Sequence, residues 1–225
     1  MTIRRLVLLR HGQTEFNADS RMQGQLDTDL TDLGRAQAEA VAAVLAKRQP
    51  IAIVSSDLRR AHDTALALGQ RTGLPVAIDP RLRETHLGDW QGLTHLEVDA
   101  AAPGARLAWR ADARWAPHGG ENRVDVARRV LPLVTELVGA QPQWGRDDVD
   151  RPVVLVAHGG LIAALTAGLL RLPVDNWPAL GSMGNASWVQ LSGHTAVGGD
   201  PAAIDDIAWR LDVWNASAQV ANDVL

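Results

Sequence analysis

Two stretches of the chain run from an apolar, β-branched segment straight into His-Gly: LVLLRHG at Leu6 to Gly12 and VLVAHGG at Val154 to Gly160. Each puts an imidazole, His11 or His158, at the C-terminal end of a predicted strand. In open α/β sheets ligands bind beyond those ends, so parallel strands would bring both rings to one rim. A second strand delivers SSDLRRA to that rim, with Arg59 and Arg60, and a third is followed by DPRLRE, with Arg81, Arg83 and Glu84. The set comprises two imidazoles, several guanidiniums and one carboxylic acid, with no paired carboxylates at metal-ligand spacing.

Such a set suits a phosphoryl group handled with neither metal nor cofactor. Charge spreads over the phosphoryl oxygens during transfer, and guanidiniums offer planar pairs of donors that stay charged at any relevant pH. Arg10 and Arg60 fit that role. A neutral imidazole is a competent nucleophile toward phosphorus, and routing hydrolysis through a phosphorylated histidine splits one barrier into two lower ones. The departing alkoxide then needs a proton, which Glu84 could give before taking one from the attacking water.

The elements that must position these groups are legible as patterns. Strands are predicted over Leu6–Leu9, Ile51–Val54, Val76–Ile78 and Val153–Val156. Leu33, Ala36, Ala40, Val41, Val44 and Leu45 recur at helical spacing within Thr31–Lys47, with Thr31 as N-cap. Further helices are expected from Asp57 to about Arg71, from Arg123 to Val138 and from Leu161 to Leu170. Strands alternating with helices imply right-handed crossovers and a largely parallel sheet covered on both faces, a three-layer α/β/α sandwich. Ala186–Leu191 and Ile207–Trp214 read as two more strands that extend or edge the sheet. Residues from about 88 to 121 lack clear periodicity and are expected to form a partly helical, cap-like insertion over one end of it. The whole chain, 1–225, is read as one domain carrying that insertion.

Composition narrows the chemistry. With no cysteine among 225 residues, disulfides, thiolate nucleophiles and cysteine zinc sites are excluded. A net charge of −4 gives no general attraction to nucleic acid or to anionic substrates, so phosphate recognition must come from a local basic cluster. The apolar run after Met1 is too short for a signal-peptide core, and the stretch from Gly159 to Val174 is interrupted by Thr166 and Arg171. No membrane segment and a cytoplasmic location are therefore expected. Eight tryptophans are read mainly as core, although Trp109 and Trp115 fall in the insertion, where one could stack on a sugar ring.

RHGQT at Arg10 to Thr14, together with Asn17, SSDLRRA and HGG, resembles the histidine phosphatase (phosphoglycerate mutase-like) superfamily across nearly the whole chain. The resemblance implies a metal-independent phosphomonoester hydrolase acting on a small phosphorylated substrate. It implies His11 as the phosphorylated nucleophile, Glu84 as acid and base, and His158, Arg10 and Arg60 as phosphate ligands. Asn17 and Gln23 become further substrate contacts, and a homodimer becomes the expected assembly. Outside the motif, His11 would more often be a satisfied buried histidine and Glu84 a surface acid paired with Arg83. Asn17 and Gln23 would be turn and loop residues, and Arg59 is read as structural. A phosphoglycerate mutase is disfavoured because Thr85, His86 and Leu87 follow Glu84 where mutases of the family usually carry a basic and aromatic pair. A non-catalytic scaffold is disfavoured because none of the active groups is missing. Which phosphoester is hydrolysed stays open, a sugar phosphate or another small phosphoester such as a nucleotide-loop precursor being the main alternatives.

Overall fold

The computed structural model describes residues 3–146, 150–195, 198–200 and 203–218. They form a six-stranded sheet in the order β3-β2-β4-β1-β5-β6, built from β1 (Ile3–Arg10), β2 (Ala52–Ser55), β3 (Val76–Ile78), β4 (Val153–Ala157), β5 (Trp188–Thr195) and β6 (Ile207–Ala216). The first four strands are parallel, and β5 and β6 add an antiparallel edge. The largely parallel sheet expected from the alternating pattern is observed, with the two later strands extending it as an antiparallel edge.

Alternation along the central strands builds the two covered faces. Leu6 and Leu8 of β1, with Val153 and Leu155 of β4, pack against α6 (Arg123–Ala140) and α7 (Gly159–Leu169). Val7 and Leu9, with Val154 and Val156, face α2 (Asp32–Ala46) and α3 (Arg59–Thr72). Because both faces are buried, β4 reads as an uninterrupted apolar run, as parallel central strands do. Thr31 caps α2 as its sequence position implies, accepting from the Gly34 N–H at 3.0 Å.

Two helix starts differ from expectation. α3 begins at Arg59, not Asp57, because the Asp57 carboxylate grips the Arg83 guanidinium at 2.5–3.1 Å. Its first turn is capped from outside instead, by Asp27, which accepts the Arg59 N–H at 2.8 Å. α7 begins two residues early, directly after His158, so its first N–H groups lie at the rim and not within a loop. A one-turn helix that periodicity could not show, α1 (Glu15–Ala18), follows β1 and is closed by a capping box between Thr14 and Asn17.

The segment between β3 and α6 contains short 3-10 turns and two short helices, α4 (His95–Ala101) and α5 (Ala105–Ala111). Met22, Leu87, Trp90 and Val98 give it a small core of its own. It is tied to the loop after α1, where Met22 N–H donates to Leu93 carbonyl and Gly92 N–H to Met22 carbonyl, both at 2.8 Å. Among the described residues no helix is long and apolar enough to cross a membrane.

The loop that leaves β1 is pressed onto the first turn of α2. A Cβ at Gly34 would lie 2.0 Å from the Gln13 carbonyl oxygen, and one at Gly12 would lie 2.3 Å from that of Gly34. Gly34→Ala should therefore force α2 away from the loop and cost about 1–3 kcal/mol, as overpacking does. Denaturant unfolding of the variant checks this, and an unchanged midpoint would contradict the close approach.

Candidate active site

Parallel pairing sets Arg10 of β1 opposite Ala157 of β4, so His11 and His158, one step further on, leave the sheet together. Their ring centroids are 5.2 Å apart, with the planes inclined by 57°, and both residues are buried. His11 Nδ1 lies 2.7 Å from the Gly12 carbonyl. A carbonyl only accepts, so the ring proton sits on Nδ1 and the lone pair on Nε2. His158 Nε2 lies 3.0 Å from Ser56 Oγ, which already accepts from the Leu58 N–H at 3.3 Å. The Ser56 hydroxyl hydrogen is then free to point at His158 Nε2, which leaves the His158 proton on Nδ1.

Arg60, on the first turn of α3, is almost wholly buried and anchored through its terminal nitrogens, which donate to the carbonyls of Leu26 and Gly24 at 2.8 Å. Arg10 donates one terminal nitrogen to the Met183 carbonyl. The Nε atoms of Arg10 and Arg60 and Nδ1 of His158 are buried donors with no acceptor among the described residues. Buried donors of this kind cost roughly 1–3 kcal/mol each unless an acceptor is supplied, and an anion with several oxygens can serve them together.

Burial and these charges together hold both imidazoles neutral. Burial pushes His11 well below the usual histidine range, and the Arg60 and Arg10 guanidiniums push it further, against the opposing pull of the Gly12 carbonyl. Burial, Arg60, His11 and Arg10 do the same to His158. Burial also lowers Arg60 to about 10, partly offset by Glu84 and Asp27, so its guanidinium remains charged at neutral pH.

Glu84 does not pair with Arg83. Its Oε1 accepts from the N–H groups of Thr85 and Leu161 at 2.7 and 3.0 Å, and its Oε2 accepts from Gly160 N–H at 3.0 Å. A carboxyl group at the first turn of α7 satisfies orphan helix donors. Gly160 permits this approach, because a Cβ there would lie 2.6 Å from Glu84 Oε1.

Asn17 presents its Oδ1 to three donors: Thr14 N–H and Oγ–H, both at 3.1 Å, and Asn185 Nδ2 at 3.0 Å. Its own amide nitrogen is thereby turned the other way. Gln23 is buried in the loop whose carbonyls hold Arg60, with Oε1 accepting from Thr28 at 2.9 Å. Arg81 and Arg83 do not join the cluster, since Arg81 pairs with Asp79 and Glu136, and Arg83 with Asp57. Arg59 pairs with Asp27 and Asp29 at the surface. Trp109 and Trp115 both pack on Trp90, at 6.0 and 5.3 Å between centroids, and Arg123 covers the Trp109 ring. Ser56 and Asn185 escaped sequence reasoning. Ser56 lies inside a motif whose arginines carry the visible signal, whereas Asn185 sits in a loop with no periodicity.

The geometry provides an imidazole lone pair, two guanidiniums whose buried Nε groups have bonds unmade, and a carboxyl on a helix N-terminus. That combination can hold a phosphoryl group and exchange it. The family model for the histidine phosphatase superfamily (branch 1) matches residues 6–198. The chain belongs to that superfamily.

It is similar to glucosyl-3-phosphoglycerate phosphatase of Mycolicibacterium vanbaalenii, at 80% identity over 225 residues and the full length of both chains. The enzyme of that name from Mycobacterium tuberculosis is 73% identical over 226 residues, again covering both chains fully. Among solved structures, mycobacterial glucosyl-3-phosphoglycerate phosphatase with VO3 is 71% identical, with a TM-score of 0.88 over 95% of this chain and all of that one. The histidine phosphatase described here is a phosphoric monoester hydrolase with a mixed α/β sheet.

The neutral imidazoles have a consequence for stability. The unfolded chain protonates His11 and His158 near pH 6.5 and the folded chain does so only well below it, so the unfolded state binds more protons as pH falls. Stability should drop between pH 6.5 and 5.5 by about 1 kcal/mol for each imidazole. Denaturant unfolding at the two pH values should show a smaller drop in His158→Gln than in the unaltered protein, and equal drops would contradict the assignment.

Proposed function

We propose that this phosphatase converts glucosyl-3-phosphoglycerate and water to glucosylglycerate and phosphate through a phosphohistidine at His11. The observation that carries the chemistry is the His11 Nδ1 bond to Gly12, which leaves the nucleophilic lone pair on Nε2 of a neutral ring. The substrate rests on full-length likeness to the two mycobacterial enzymes of that name.

In the first half-reaction His11 Nε2 attacks phosphorus as the ester P–O bond breaks, and Glu84 gives its proton to the leaving alkoxide oxygen. Glu84 Oε1 is held by two N–H groups and Oε2 by one, so Oε2 has the room for that proton. In the second, water attacks the phosphohistidine, the P–N electron pair returns to Nε2, and the water proton goes to Glu84, restoring the acid. Arg10, Arg60 and His158 Nδ1 bind the phosphoryl oxygens, and their fixed positions favour the transition state because no reorganisation is needed at the moment of reaction. Asn17, through its free amide nitrogen, and Gln23 complete the substrate contacts.

Guanidiniums and imidazole take the charge-stabilising part that a metal would otherwise play, and no metal or other cofactor enters the scheme. We infer a cytoplasmic homodimer from the family likeness, with the exposed Leu96 and Leu107 of the insertion as apolar surface available to a second copy. Light scattering at twice the chain mass is the expected result, and a monomer at micromolar concentration would reject it.

Phosphate release by chelator-treated protein from glucosyl-3-phosphoglycerate, 3-phosphoglycerate and several sugar phosphates tests the substrate, with His11→Ala as control. The glucosylated ester should have the highest kcat/KM, and the control should lose essentially all activity. Preference for another ester would discard the substrate while keeping the histidine chemistry, whereas dependence on added Mg²⁺ would discard the scheme.

A further inference from the structure

Glu84 lies on no helix or strand, yet the reaction proposed above needs its carboxyl fixed to within a fraction of an ångström. Its backbone is held by one side chain from another layer. Arg129, on α6, donates from one terminal nitrogen to the Arg81 carbonyl at 2.6 Å, and from the other to the carbonyls of Arg83 and Glu84 at 2.8 and 2.9 Å. Nε donates to Glu121 Oε1 at 2.9 Å, and the second terminal nitrogen shares its two hydrogens with Glu121 Oε2 at 3.1 Å. Glu121 Oε2 also accepts the His86 N–H at 2.8 Å, and Glu121 N–H donates to the His86 carbonyl at 2.8 Å. Together the two side chains clamp residues 81–86 on both sides of Glu84. Gln25 adds a lighter contact, donating to the Glu84 carbonyl at 3.0 Å.

We propose that Arg129, oriented by Glu121, is the positioning residue for the proton donor. The inference rests on the reading of Glu84 as acid. Only a planar fork of donors spans three carbonyls and a carboxylate at once, and a lysine ammonium offers three donors from a single point. Glu121 also closes the base of the insertion, where a Cβ at Gly120 would lie 2.6 Å from the His86 carbonyl oxygen. The insertion and the acid therefore share one support.

A misplaced acid has a signature that general damage lacks. An alkyl phosphate needs its leaving oxygen protonated, whereas p-nitrophenolate departs without help. Because kcat/KM covers only steps through phosphorylation of His11, it isolates the acid role from the later base role. Arg129→Lys and Glu121→Gln should each lose about 10- to 100-fold in kcat/KM on glucosyl-3-phosphoglycerate while p-nitrophenyl phosphate changes by less than about 3-fold. The aryl ester should also show a burst, with phosphohistidine accumulating as its hydrolysis slows. Glu84→Gln is the reference. If Glu84→Gln fails to separate the two esters, the acid assignment falls and the clamp with it. If it separates them and neither clamp variant does, the clamp alone is overturned. Equal losses on both esters in a folded clamp variant would likewise overturn it.

Discussion

The parallel pairing of β1 with β4 is the constraint on which the site depends. Register alone sets Arg10 beside Ala157 and sends His11 and His158 out of the sheet as neighbours 5.2 Å apart. A one-residue slip would turn either imidazole to the other face of the sheet. The register is in turn held by two-sided burial: Leu6 and Leu8 belong to one core and Val7 and Leu9 to the other, so no residue of the strand can change sides without exposing apolar surface. The same packing that stabilises the centre of the fold aims the reactive groups.

Burial then sets their chemistry. Both imidazoles sit among guanidiniums and out of water, so both stay neutral well below the usual histidine range. Hydrogen bonds to Gly12 and Ser56 put the proton of both rings on Nδ1 but leave different atoms unengaged, the Nε2 lone pair of His11 and the Nδ1 proton of His158. Two chemically identical side chains thus acquire opposite capacities, to give electrons and to donate a hydrogen bond. The cations that help to keep both rings neutral are themselves anchored by backbone carbonyls and not by carboxylates, which leaves their charge available to an anion.

The carboxyl group obeys a different logic. Glu84 comes from an irregular segment, and its position is set by the first turn of α7 in front of it and by Arg129 and Glu121 behind. Gly160 matters here as space: the carboxyl group approaches the helix only because that residue has no side chain. The insertion joins this arrangement through Glu121 and through its pairing with the loop that holds Arg60, so the part of the molecule outside the sheet is mechanically linked to both ends of the site.

The sequence by itself determined the sheet and the identity of the central groups. Strand periodicity, the His-Gly ends of β1 and β4 and the strand-end rule suffice to gather His11, His158, Arg10 and Arg60, because each lies within a residue or a helical turn of a strand whose place follows from local pattern. Only the tertiary structure decided which of Arg81, Arg83 and Glu84 faces the rim, since the first two find carboxylates distant in sequence and the third finds a helix N-terminus. It alone showed that Trp109 and Trp115 pack on Trp90, and that Ser56, Asn185, Arg129 and Glu121 support the site. Those contacts join residues tens to more than a hundred and sixty positions apart. Hydrogen-bond partners at such separations leave no periodic trace in a single sequence, because they depend on how elements dock and not on how each one forms.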